Sequence, residues 1–140
     1  MNLLDPVLHL RVLGVVFVLL AFVHAVFPAR FQWRRELPAL SLINQQLMTV
    51  HTFFIAVVVF GIGVVCVVDA DLLTTTTLGR HVCVGLAVFW GLRFLAQHFW
   101  YSPRLWRGKT FETLVHVAFS LLWAWATVLF ALVGSGRAVP

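Results

Sequence analysis

The sequence predicts an all-α, polytopic integral membrane protein built as a four-helix bundle. Three observations predict it. Hydrophobic residues make up 61% of the 140 residues and charged residues only 11%, with a mean hydropathy of +0.97. A water-soluble domain is nearer half apolar and one-quarter charged, so this chain has too little polar surface to cover a globule in water. The apolar residues also fall in four long runs, and crossing the hydrocarbon core takes about 20 of them. In lipid each run must satisfy its own backbone hydrogen bonds, which makes each a helix. The length suits one domain, read as a single transmembrane domain over residues 1–140.

The first helix is expected over about residues 12–27, extended upstream through Leu10 if Arg11 snorkels, and closed by Pro28. Residues 1–9 read as a short interfacial segment. Asp5 precedes the apolar run, Arg11 is the only nearby basic residue and no small-residue cleavage site follows. It therefore reads as a retained helix rather than a signal peptide. The second helix is expected over about 47–68, without a charge. The third covers about 82–101 and contains Arg93, and the fourth about 114–133.

The connections set the expected orientation. The first carries Arg30, Arg34 and Arg35 against Glu36, and the third carries Arg104, Arg107 and Lys109. The second carries Asp69 and Asp71 with Arg80, and its threonine run 74–77 reads as a polar turn. The positive-inside rule places the first and third connections in the cytoplasm and both termini on the outer side. Trp33, Trp100, Tyr101 and Trp106 would form the aromatic belt of that cytoplasmic interface, and Pro38 bends the first connection. The net charge of +5 is no nucleic-acid footprint, because the basic residues lie in short turns suited to lipid headgroups. The expected location is a bacterial inner membrane.

The two hairpins resemble one another. Leu20-Ala21, His24 and Arg30 can be laid over Leu95-Ala96, His98 and Arg104, and Val50-His51 with Phe54 over Val115-His116 with Phe119. A duplication would be a parallel repeat about an axis along the membrane normal.

Polar groups inside the apolar runs are the candidates for function. His24, His51, His98 and His116 fall one per helix, roughly 5 to 13 Å below the cytoplasmic surface at about 1.5 Å per residue. Arg93 sits deepest. It shares a helix face with Gln97, Trp90 and Trp100, while Glu112, His116, Ser120, Trp123 and Thr127 form one stripe on the last helix. An intramembrane arginine needs a partner or water, and Glu112, the only carboxylate on the cytoplasmic ends of the last two helices, would be reached directly or through Gln97 or a water. Arg93, Gln97, Glu112, Trp100 and Tyr101 are accordingly the candidate cofactor-binding residues, and the four histidines the candidate metal ligands. Imidazole ligates transition metals and haem b, and the arginines of the basic turns suit haem propionates. The plainer alternatives are an Arg93 that snorkels and fixes helix register, and four separately hydrogen-bonded histidines. Trp90, Trp123 and Trp125 suit packing better than a pigment pocket.

Cys66 and Cys83 lack CxxC spacing, so no zinc ribbon or thioredoxin-like motif is indicated. They flank the outer connection, where burial as small apolar residues and a disulfide are both open, burial being favoured. Gly61, Gly63, Gly85 and Gly91 would permit close helix approach. No P-loop, Rossmann fingerprint, nucleophile elbow or metalloprotease motif occurs, and no reaction class is indicated.

Asn44-Gln45-Gln46 entering the second helix, followed by Trp90-Gly91-Leu92-Arg93, Gln97 and an aromatic pair, resembles a family of short bacterial four-helix membrane proteins. The resemblance covers roughly the last two-thirds of the chain. It implies the fold but no mechanism, because no activity is assigned to the family. Its members have Asn-Arg-Gln at the Asn44 position and an aromatic where His51 stands. That makes Arg93 and Gln97 the shared centre and weakens a strict four-histidine ligand set.

Three functions are consistent with these residues. The favoured one is a histidine-lined cytoplasmic-leaflet pocket binding a metal, haem or quinone-like cofactor, within a larger membrane complex or a homo-oligomer surrounded by lipid. There His24, His51, His98 and His116 would be ligands or proton carriers, Arg93 and Gln97 would orient an anionic or carbonyl group, and Glu112 would hold a histidine or move a proton. The others are a non-catalytic scaffold or assembly subunit that contacts pigment and lipid, and an oligomeric transporter or channel biased towards anions by Arg93.

Overall fold

The computed structural model describes residues 5–137, and among these the regular structure is entirely helical. In chain order, α1 is Pro6–Val23, followed by a 3-10 turn His24–Val26, α2 Phe27–Arg30, α3 Trp33–Glu36 and a second 3-10 turn Leu37–Ala39. Then come α4 Leu42–Val68, α5 Ala70–Thr75, α6 Thr77–Phe99, a 3-10 turn Pro103–Leu105 and α7 Thr110–Gly134. Four helical stretches, Pro6–Arg30, Leu42–Val68, Thr77–Phe99 and Thr110–Gly134, are long and apolar enough to cross a membrane. At 1.5 Å per residue each exceeds the roughly 30 Å of a hydrocarbon core.

All four begin earlier than the apolar runs alone suggest, and at α1 and α6 a polar side chain caps the added turn. Asp5 caps α1, its Oδ1 accepting from Val7 N at 2.9 Å, with Pro6 in the first turn, where its missing N–H costs nothing. Arg11 consequently lies inside the helix. Of the expected interfacial segment, residues 1–4 lie outside the described residues, and Pro6–His9 are the first turn of α1. Pro28 does not close the first helix. The chain tightens into the His24–Val26 3-10 turn and resumes as α2 with Pro28 in its first turn, so the lost donor falls where the ladder is already interrupted. Thr76 caps α6 by accepting from Gly79 N at 3.0 Å.

The threonine run 74–77, expected to be a plain polar turn, instead ends the short helix α5 and begins α6. The Thr74 and Thr75 hydroxyls donate to the Asp71 carbonyl at 2.9 and 2.7 Å, and Thr76 donates to Leu72 at 2.8 Å. These bonds occupy side chains that would otherwise compete for the backbone.

The contacts divide the chain into two compact units, one from Leu10 to Ala70 and one comprising the chain from Asp71 with the residues up to His9. In the first unit Gly14 and Gly63 bring α1 and α4 together. A Cβ on Gly14 would lie 2.6 Å from the Gly63 carbonyl oxygen, and one on Gly63 would lie 2.8 Å from that of Gly14. In the second unit α6 and α7 form an antiparallel hairpin. Gly134 meets Val84, Thr127 meets Gly91, Trp123 stacks on Trp90, and His116 meets Gln97. Of the four glycines expected to serve close approach, Gly63 does so, whereas Gly61 and Gly85 face open space and Gly91 makes only ordinary contact. Cys66 and Cys83 are both buried, and neither is part of a disulfide among the described residues.

Candidate functional site

The polar groups of the second unit converge near the C-terminal end of α6 and the N-terminal half of α7. Helical spacing stacks Arg93 above Gln97 on α6, and Arg93 Nη1 donates to Gln97 Oε1 at 3.1 Å. Gln97 is buried, 8% exposed, and its Nε2 lies 3.0 Å from His116 Nδ1 on α7. The three residues form one hydrogen-bonded chain across the hairpin. A buried amide linked at both ends escapes the cost of unsatisfied burial, which is why so polar a side chain is tolerated there.

Aromatic rings enclose this chain. The Arg93 guanidinium lies 5.1 Å from the Trp123 ring centroid and 5.7 Å from that of Tyr101. The π faces partly offset its charge. Trp123 stacks on Trp90 at 4.8 Å with 9° between planes. The Trp123 indole nitrogen is buried, with no hydrogen-bond partner among the described residues. Trp106, from the turn before α7, lies flat on His116, 3.9 Å between centroids and 6° between planes. The Thr113 hydroxyl donates to the Trp106 carbonyl at 2.7 Å and anchors that turn to α7.

His98 is the second imidazole of the cluster, its ring centroid 5.5 Å from that of His116. Its Nδ1 lies 3.0 Å from the Phe94 carbonyl, one turn back on α6. Ser120 donates to the His116 carbonyl at 2.8 Å, and its Oγ lies 3.5 Å from His98 Nε2. In the first unit His24 has the same local arrangement as His98, with Nδ1 2.8 Å from the Leu20 carbonyl and a phenylalanine ring alongside.

The expected site residues divide accordingly. Arg93, Gln97, Tyr101, His98 and His116 are brought together on one hairpin. Trp100 is 88% exposed. Glu112 is half-buried in the first turn of α7, and Gln97 joins Arg93 to His116. His24 and His51 belong to the first unit, His24 at the end of α1 and His51 exposed on α4. Among the described residues, no three of His, Cys, Asp and Glu gather as a group able to hold a metal ion. Trp106 is the participant that sequence reasoning assigned elsewhere, to the interfacial belt. Periodicity relates residues on one helix and carries no signal for a turn residue folding back over the next.

Fold and site together define a helical protein with four helices apolar enough to span a membrane and one polar cluster on its last hairpin. No family model matches the chain, and no characterised protein or solved structure is similar enough to it to count as a match.

Proposed function

We propose that the chain is a multi-pass protein of a bacterial inner membrane and that its α6–α7 cluster binds the oxygen-bearing head of a quinone-like cofactor. Both termini would face outward and the two basic connections the cytoplasm, as the positive-inside rule prescribes. The observation that carries the ligand reading is the Arg93–Gln97–His116 chain within an otherwise apolar hairpin. Intramembrane ionisable groups are costly, and their retention is best explained by a function. This cluster is rich in donors: the remaining N–H groups of Arg93 and the Trp123 indole N–H. It therefore favours a ligand with oxygen acceptors, and the exposed apolar helix faces suit an apolar tail, lipid and neighbouring membrane subunits.

A second reading, haem b or a transition metal, is favoured by one observation. Nδ1 of His24 and of His98 each faces a backbone carbonyl, which can only accept, so neutral imidazole presents the Nε2 lone pair that a metal requires.

Purification in mild detergent separates the two. The quinone reading expects a quinone in the organic extract, or saturable binding of a short-chain ubiquinone that His116→Ala abolishes. A preparation that binds none, or binds it equally well without His116, refutes the reading. A haem spectrum or stoichiometric metal establishes the second reading.

A further inference from the structure

We propose that Gln97 is a positioning residue that locks His116 in one tautomer, with the proton on Nε2, so that His116 serves the site as a hydrogen-bond donor and not as a metal ligand. The inference rests on the ligand reading above and deepens it by naming the chemistry accepted at His116: a carbonyl or other oxygen acceptor.

The argument starts from the one group whose role cannot change. Arginine has five N–H donors and no acceptor, and it does not deprotonate in proteins. Arg93 Nη1 therefore donates to Gln97, and the Gln97 atom facing it must be the carbonyl oxygen. This orients the amide, because its nitrogen then occupies the other position, 3.0 Å from His116 Nδ1. An amide NH2 donates, so Nδ1 must accept and carries no proton. Neutral imidazole has one proton, which is left on Nε2. Turning the amide over would set NH2 against the Arg93 donor and lose a charge-assisted bond. That favours the stated orientation by about 10- to 100-fold. Trp106, flat on the ring at 3.9 Å, restricts the other escape, rotation of the imidazole.

A metal or haem iron at His116 Nε2 requires the opposite arrangement, in which Nδ1–H donates to an acceptor and Nε2 offers its lone pair. His98, 5.5 Å away, has that arrangement through the Phe94 carbonyl. The site thus holds two neighbouring imidazoles in opposite tautomers, one presenting a donor and one an acceptor. A ring ligand carrying carbonyl or hydroxyl oxygens can use both, whereas two histidine ligands on one metal cannot be drawn from this pair.

The test reads nitrogen protonation directly, by 15N NMR of histidine-labelled full-length protein in detergent or nanodiscs at a pH where the rings are neutral. The expected wild-type spectrum shows His116 with a bare Nδ1 and a protonated Nε2, and His98 with the reverse. Gln97→Glu, nearly isosteric, presents acceptors to both neighbours and should invert His116 to the Nδ1–H form. Gln97→Leu should leave a tautomer mixture. A wild-type His116 protonated on Nδ1, or a folded Gln97→Glu protein with His116 unchanged, overturns the proposal. Adding a short-chain ubiquinone separates this inference from the ligand reading. A shift at His116 Nε2 supports both, while no shift beside the expected tautomer pattern refutes the ligand reading alone. Zn2+ displacing the Nε2 proton of wild-type His116 overturns the tautomer lock.

Discussion

Replacing Arg93 with leucine separates a structural role from a functional one, because the stability terms nearly cancel. The substitution removes the bond from Nη1 to Gln97 Oε1 at 3.1 Å, about 1.5–3 kcal/mol for a charged donor. It also removes the contacts over Trp123 and Tyr101, about 0.5–2 kcal/mol together. Against this, it takes a charge out of the middle of an apolar helix, a relief of about 2.5–3.5 kcal/mol on insertion scales. The net change in stability is expected within about 2.5 kcal/mol of zero. The loss of function should not cancel: Gln97 is no longer oriented, and binding of a short-chain ubiquinone is expected to weaken at least about tenfold, the worth of one charged hydrogen bond. Reversible unfolding in mixed micelles measures the first quantity and a binding titration the second. A destabilisation above about 4 kcal/mol would show that Arg93 is a structural residue. Unchanged quinone binding would remove it from the site.

Three further outcomes follow from the same geometry. Gly14→Ala places a Cβ 2.6 Å from the Gly63 carbonyl oxygen and should cost about 1–3 kcal/mol of overpacking, whereas Gly61→Ala, with nothing within 4 Å, should change unfolding by less than about 0.5 kcal/mol. Trp106→Ala removes the stack on His116. It should cost about 0.5–1.5 kcal/mol in the unfolding assay and weaken quinone binding, since it frees the ring to turn. For orientation, the native thiols Cys66 and Cys83 are fully buried and give little background. Impermeant thiol reagents applied to intact cells should therefore label Thr75→Cys and not Ser102→Cys, and the reverse pattern would invert the proposed topology.

Much of the architecture is legible in the sequence because a run able to cross a bilayer has a set minimum length. Runs of about 20 apolar residues leave the backbone no alternative to helix, so four helices and their approximate places follow from composition and spacing. Helix ends were less legible. Pro28 reads as a terminator, yet a 3-10 turn absorbs it, and the threonine run reads as a loop, yet its hydroxyls bond back to carbonyls and build α5. Glycine content was similarly ambiguous: Gly63 and Gly61 are neighbours in sequence type, but only one faces a partner backbone.

For the candidate site, the sequence by itself determined which residues share a helix face. Arg93 lies over Gln97, and His116, Ser120 and Trp123 fall on one stripe, because a repeat of 3.6 residues fixes these relations. Only the tertiary structure decided what crosses between helices. It placed Gln97 against His116, and it folded Trp106 from its turn onto the imidazole. The physical reason is register. Periodicity orders side chains within a helix, but which residue meets which across a hairpin depends on close packing at small residues such as Gly134, and on the turn that joins the helices. That register sets Gln97 Nε2 beside His116 Nδ1, and the donor-only guanidinium of Arg93 then gives the hydrogen bonds the direction on which the proposed His116 tautomer rests.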